Sequence, residues 1–323
     1  MNYIKMSPLT GMVGYGGGAT GLIGEMSRYP ADGSTYWGDR AVGQKSVTME
    51  YWDITTTSGV SDFGDSTVNR TGVAVASDGH RGVFTGGQTP GGNEDPTNTI
   101  DYVVIATTSN ATDFGDDTKS VKFCAGCSDG SRGCRFGGID GHYKNDITYI
   151  TIATPSNATN FADIPVGREM LSGTNSATQG FVAGGWGPTN VIEKFTIQTL
   201  ANATDLGDLT VSRYGLAATA SSTRAIWAGG KDGSNDVNTI DRLTMATGSD
   251  ASDFGDMTAA RRGVGCTGNG TRGIIAGGYG ASGLGNYARL EYVTIDNTSN
   301  ATEMQNMSTL TGSDVCCTSG AAS

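Results

Sequence analysis

Ile100-Asp-Tyr-Val-Val-Ile-Ala-Thr-Thr-Ser-Asn-Ala-Thr-Asp-Phe-Gly-Asp116 decides the fold, because the chain keeps returning to it. Its closing phrase, Thr-Asp-Phe-Gly-Asp around Phe114, has counterparts at Phe63, Phe161, Leu206, Phe254 and Met304. Successive anchors are 51, 47, 45, 48 and 50 residues apart. A Gly pair ending a short apolar run keeps the same rhythm at Gly87, Gly138, Gly185, Gly230 and Gly278. A period of this size denotes a solenoid, a propeller or an array.

The unit from Arg213 to Met257 separates the three. It holds four short runs, starting at Arg213, at Arg224, at Ile240 and around Phe254, bounded by Gly, Asn, Asp and Ser. Such runs read as strands rather than helices. Four antiparallel strands in about 48 residues describe a propeller blade. Composition agrees: the 323 residues include 51 Gly, without the strict three-residue period of collagen, and 37% are hydrophobic, too many for a solvated disordered chain.

The Gly pair and the aromatic or aliphatic anchor on the fourth strand resemble the kelch repeat and the galactose-oxidase-type propeller. Residues 100–116 are most similar to a subset of kelch-like repeats found in structural proteins of tailed phages, marine phages notably. The resemblance covers roughly residues 34–319, and departs from kelch in placing Phe, Leu or Met where the fourth-strand Trp stands. It implies a virion protein.

The expected fold is all-β: a six-bladed kelch-like propeller of four-stranded antiparallel blades over residues 34–323, preceded by a Gly-rich extension, residues 1–33. Ser34 to Gly38 would supply the second strand of the first blade and Val47 to Asp53 the third. The C-terminal stretch Thr311–Ser319 would supply the missing first strand and close the ring. Closure removes exposed sheet edges. Met12 to Gly24 could imitate two further strands, which leaves seven blades as the alternative.

All length variation lies in one loop. From the second Gly of the pair to the start of the third strand the repeats take 13, 9, 7, 10 and 12 residues, and what remains of each period is 38. These loops share one face of the disc, and a fixed scaffold with one variable face is how binding surfaces are mounted on rigid folds. The candidate ligand residues on them are His142, Tyr143, Trp186, Lys231, Asp232, Tyr279 and Tyr287, aromatic planes beside polar groups that suit sugar faces and hydroxyls. Within the extension, Met12, Tyr15, Leu22 and Ile23 are the candidate anchor to a particle or a neighbouring subunit.

Other motifs read as scaffold. Asp-Phe-Gly-Asp recurs in blade after blade without a kinase catalytic loop, so its aromatic ring is expected between blades, with Asp side chains accepting turn N–H groups. Arg70, Arg168, Arg213 and Arg261 share one column; Arg81, Arg132, Arg224 and Arg272 share another; Glu50, Asp101, Glu193, Asp241 and Glu291 form an acidic third. Inter-blade ion pairs explain them, each contributing about 0–1 kcal/mol if exposed. Cys124 and Cys127 are three apart, on opposite faces of a strand, which argues against a shared zinc ion. The Asn-Ala-Thr tripeptides at Asn110, Asn157 and Asn202 read as turns rather than glycosylation sites. Two histidines, His80 and His142, are too few for the copper chemistry of galactose oxidase.

A net charge of −11 is the wrong sign for neutralising nucleic-acid phosphates. No apolar run of membrane-spanning or signal-peptide length is present. The sequence therefore leads to a non-enzymatic virion protein without cofactor or metal, displayed on a tail fibre or particle surface. Its expected partners are a host-surface glycan and other virion subunits, and the reading admits a homo-oligomer. A purely structural assembly module is the alternative, and a carbohydrate-active enzyme the weakest of the three.

Overall fold

The computed structural model describes residues 39–56, 59–90, 95–280, 285–286, 288–308, 310 and 316–319, with a short strand at Gly11–Val13. No helix occurs among them. The fold is a β-propeller with five blades of four antiparallel strands. Blade one comprises Ala74–Ser77, Arg81–Thr85, Thr97–Val104 and Thr112–Val121, and blade two Ala125–Ser128, Arg132–Phe136, Asp146–Thr151 and Thr159–Asp163. Blade three comprises Ser172–Asn175, Gln179–Ala183, Thr189–Thr196 and Thr204–Arg213. Blade four has Ala217–Ala220, Arg224–Ala228, Thr239–Thr244 and Ser252–Asp256, and blade five Gly265–Gly268, Arg272–Ala276, Arg289–Thr294 and Thr302–Asn306.

The first strand of each blade is innermost and buried at every residue. Its residues are small, as in Ala74-Val-Ala-Ser77 and Gly265-Cys-Thr-Gly268, because neighbouring inner strands crowd the axis and the space there tapers. The second strand, packed on both faces by adjoining blades, carries the bulk: Phe84, Phe136, Phe181 and Trp227 are fully buried. Neither strand alternates apolar with polar, as expected for a sheet covered on both sides.

A further sheet lies between blades five and one. Its strands are Cys316–Ser319, the 14-residue Arg40–Asp53, and Ser61–Arg70. Residues 41–44 of the long strand pair with Cys316–Ser319, and residues 46–51 pair with Ser61–Arg70. Cys316–Ser319 touches the inner strands of both neighbouring blades. Residues 34–38, expected to form a strand here, lie outside the described residues. The residues that pair with the C-terminal segment are instead 41–44, and the element folds back on itself at Lys45 and Ser46, the latter left-handed (φ 62°), so that the Ile54 N–H reaches the Asp39 carbonyl without a long loop after a Gly pair.

Three repeated contacts sew the sheets together. First, Arg40, Arg81, Arg132 and Arg272 each donate from Nη1 to backbone carbonyls of the next sheet: Ile105 and Ala106, Ile152 and Ala153, Ile197, and Ile54 and Thr55. Arg224 does the same to Ile295 and Asp296. This column is therefore mainly an arginine-to-carbonyl ladder rather than a set of ion pairs.

Second, the other arginine column does form ion pairs across blades, Arg70–Asp101, Arg168–Glu193, Arg213–Asp241 and Arg261–Glu291, and all of them are buried. The small contribution of an exposed pair does not apply to them. Between blades one and two the column holds Val121 and Thr148, and the charge moves to Arg135, which bridges Asp117 and Asp146.

Third, the Asn-Ala-Thr and Asp-Phe-Gly-Asp motifs are two halves of one clamp. The Asn157 side chain accepts from the Asp116 N–H (2.9 Å), while the Ala158 N–H donates to the Asp116 carbonyl (2.8 Å). Asn110 with Asp65, Asn202 with Asp163, and Asn300 with Asp256 repeat the pattern, and Asp250 replaces Asn opposite Asp208. It is the aspartate's backbone that does this work, where the sequence suggested its side chain. The motif's ring packs between blades as expected, Phe161 edge-on to Phe195 of blade three and Phe63 and Phe114 in clusters with residues of the following blade, and each is also edge-on to a tyrosine of its own sheet, Tyr51, Tyr102 or Tyr149.

Candidate functional site

The loops between second and third strands leave the disc on the same face as the connections from each fourth strand to the next first strand. The two meet as short ladders: Thr71 with Gln88, Lys122 with Ile139, Tyr214 with Lys231, and Arg262 with Tyr279 are bridged through their backbones. In blade three the Trp186 N–H donates to the Glu169 carbonyl (2.8 Å). Every loop opening is thereby fixed to the rim of the axis.

On this face the structure brings Trp186, Lys231 and Tyr279 onto adjoining blades, with Tyr214 and Arg262 between them. The Trp186 ring, 45% exposed, stands edge-on to Tyr214 at 4.6 Å. The Arg262 guanidinium lies 4.9 Å over Tyr279, itself 38% exposed, and is held by Asp236 at 2.5 Å. Burial pushes the Tyr214 hydroxyl up from its ordinary value, with Arg262 opposing the shift. Lys231 is half-buried, and Asp232 is exposed with its carboxylate accepting from the Ser234 and Asn235 N–H groups, which hold it below the usual range.

Tyr143, 49% exposed, sits on blade two beside exposed His142. Gly167 packs against the backbone of Tyr143 and Lys144, which places exposed Val166 near this loop. Tyr287 lies outside the described residues. So do Tyr15, Leu22 and Ile23. Met12 is in the strand Gly11–Val13, which runs antiparallel to Ala125–Ser128 and touches the inner strands around it, with Met12 opposite Cys127. The backbone of this short strand is thus tied to the propeller.

No protein-family model matches the chain, and no curated protein matches it.

Sequence reading missed Lys122, Phe123, Glu169, Met170, Tyr214 and Arg262. Their signal is the step after the arginine column, Arg70-Thr-Gly72, Arg213-Tyr-Gly215 and Arg261-Arg-Gly263, where blades two and three read Val121-Lys-Phe123 and Arg168-Glu-Met170.

Among the described residues no group of three or more His, Cys, Asp and Glu converges as metal ligands would. His80 follows the inner strand of blade one in its first-to-second-strand turn, on the face opposite His142. Cys124 donates to the Thr85 carbonyl, whereas Cys127 pairs across the sheet with Cys134. Burial pushes the Cys124 thiol up to about 11 and raises Cys127 and Cys266 as well. Native protein treated with iodoacetamide at about pH 8 is expected to stay unlabelled at these three positions and to label fully in denaturant, because the thiolate is the nucleophile. Peptide mapping of the alkylated chain reads the result, and rapid native labelling of any of the three would contradict it.

Proposed function

We propose that the chain is a six-bladed kelch-like propeller of a tailed-phage virion, binding a host-surface glycan through its variable-loop face. Six blades follow if the sheet containing Arg40–Asp53 is a blade whose second and third strands are joined by a tight turn. Arg40 stands in the arginine ladder and Glu50 in the acidic column. The Ile54 N–H donates to the Asp39 carbonyl just as Ile105 does to His80 and Ile152 to Ser131 in blades one and two. Cys316–Ser319 pairs with residues 41–44 in the manner of Ala74–Ser77 with 82–85, so the C-terminal strand closes the ring. The virion assignment rests on the resemblance of the repeat, since fold alone does not give function.

The observation that carries the binding reading is where apolar surface is exposed. Of the exposed large hydrophobic side chains among the described residues, Tyr143, Val166, Trp186 and Tyr279 share the loop face, while Leu200 alone lies in a turn on the other. Scattered apolar residues need no explanation, but a cluster on one face marks an interaction site. The aromatic planes and their polar neighbours fit sugar rings and hydroxyls. No step of bond chemistry is assigned to the face, and the protein acts here as a non-enzymatic attachment module.

A glycan array probed with the full chain and with Trp186→Ala and Tyr143→Ala tests the site. Binding by the parent chain that falls by about tenfold or more in Trp186→Ala is expected, since aromatic anchors dominate such contacts. Binding untouched by either change counts against this face. Immunogold labelling of intact particles separates the two structural roles: label at a tail tip fits attachment, and label in a collar or lattice fits an assembly module joined to other virion subunits.

A further inference from the structure

At the rim of the axis, consecutive blades are linked by a chain of backbone hydrogen bonds. Phe123 donates to Gly72, Met170 to Phe123, Gly215 to Met170 and Gly263 to Gly215, at 2.7–3.0 Å. All five residues are left-handed, with φ between 55° and 68°. Gly adopts that region freely, whereas a side chain there costs about 1–3 kcal/mol, and such strain persists mainly at functional sites. Blades one, four and five use Gly, but the adjacent blades two and three keep Phe123 and Met170, both half-buried. The Phe123 ring lies across Gly72, so closely that a Cβ there would meet Cδ1 at 2.6 Å.

Glu169, beside Met170, is the second anomaly. The residue is only 8% exposed, its carboxylate keeps an edge open to solvent, and it forms no ion pair with a described residue. Burial pushes its carboxyl up, with Lys122 pulling the other way, yet no ion pair joins the two. A carboxylate at the edge of a poorly hydrated, aromatic-lined surface favours a cationic partner over water alone. The Trp186 backbone is bonded to that of Glu169, the Trp186 ring meets Tyr214, and aromatic faces attract cations. The other nearby cation, Arg262, is engaged by Asp236. The chain as a whole carries −11, which draws positive ligands and repels anionic ones.

We infer that Glu169, with Trp186, Tyr214, Phe123 and Met170, forms a subsite for a cationic sugar, the ammonium of an amino-sugar residue seating on the carboxylate and its ring on the apolar surface. The inference rests on the loop-face reading and gives it a ligand class. An ammonium supplies hydrogen-bond donors and a full charge together, in competition with the Lys122 ammonium over the Phe123 ring, where a neutral hydroxyl supplies only donors.

The test is calorimetric titration of the full chain with the hexamer of β-1,4-linked glucosamine, with its N-acetylated counterpart, with an oligogalacturonate and with a lysine hexapeptide. The glucosamine hexamer is expected to bind at least about tenfold more tightly than the acetylated one, and Glu169→Gln to erase that preference. Phe123→Gly with Met170→Gly is expected to weaken both hexamers while the melting temperature holds or rises, because Gly relieves the strain. Glu169→Gln keeps the size and shape of the side chain, and an unchanged melting temperature in both variants separates loss of binding from loss of fold. Equal affinity for the two hexamers, a preference that survives Glu169→Gln, or tightest binding to the lysine peptide overturns the inference. Binding of the acetylated or anionic oligomer alone, lost in Trp186→Ala, overturns it and leaves the loop-face reading standing; no glycan binding at all overturns both.

Discussion

Asp241→Ala is expected to lower stability by about 3–5 kcal/mol, the usual cost of leaving one member of a buried ion pair without its partner. Arg213 and Asp241 meet at 3.1 Å with neither side chain exposed to solvent, and the pair spans blades three and four. Removing the carboxylate strands a guanidinium whose burial already pulls it below its ordinary value, against the opposing effect of Asp241. It also removes the acceptor for the Thr210 N–H and hydroxyl, although Thr210 is exposed and water can replace it. At the heat of unfolding typical for this chain length, the loss corresponds to about 4–7 °C in Tm.

Arg213→Met combined with Asp241→Leu is expected to cost less than Asp241→Ala alone, because no charge is then left buried. The fold already holds these two positions uncharged at one contact, Val121 and Thr148 between blades one and two, both buried, with the Arg135 pairs beside them. Urea denaturation of the parent, both singles and the double gives a coupling energy, expected at about 2 kcal/mol or more. Additive single effects would mean that the pair is no more than two independent side chains filling space.

The ion-pair columns show how far sequence carried and where it stopped. Repetition revealed that Arg213 and Asp241 belong to columns, and that the columns sit at blade contacts. It did not reveal burial, which depends on the next blade covering the pair, and so it left the strength of the pair conditional on exposure. Nor did it separate the two arginine columns, one aimed at carboxylates and one at carbonyls, because both read simply as Arg at fixed spacing. Arg135 escaped altogether, since its charge occupies a second-strand position that is Phe84 or Trp227 in other blades.

The same division holds at the candidate site. Trp186, Lys231 and Tyr279 were legible because loop length varies only where they stand. Tyr214, Arg262 and Glu169 were not, because they follow the arginine column directly and look like continuations of a strand. Only the fourth-to-first-strand turn, with its left-handed residue, lifts them to the rim beside the loops. The start of the propeller misled for a related reason: a second strand at Ser34 to Gly38 leaves room for a loop before Val47, and the chain has none between Gln44 and Val47.

Gly115→Ala is the second change expected to be severe, at about 3 kcal/mol or more. Gly115 adopts φ +141°, in the region that L side chains rarely enter, which alone costs about 1–3 kcal/mol. A Cβ would also stand 2.7 Å from the Ser156 carbonyl carbon and oxygen, backbone atoms of the next blade that cannot swing aside. Yielding to that contact would pull Ser156 and Asn157 away from Asp116 and open the clamp. Asn157→Ala, which removes one hydrogen bond and leaves the backbone in place, is expected to cost only about 1 kcal/mol. Blade two offers the internal control, for there the same slot is Ala162, outside the positive-φ region. Ala162→Gly should therefore cost no more than the about 0.5–1 kcal/mol of added chain freedom. Thermal melts of the three variants rank them as Gly115→Ala, then Asn157→Ala and Ala162→Gly together; a mild Gly115→Ala would mean that the clamp bends freely and that the glycine in Asp-Phe-Gly-Asp has another cause.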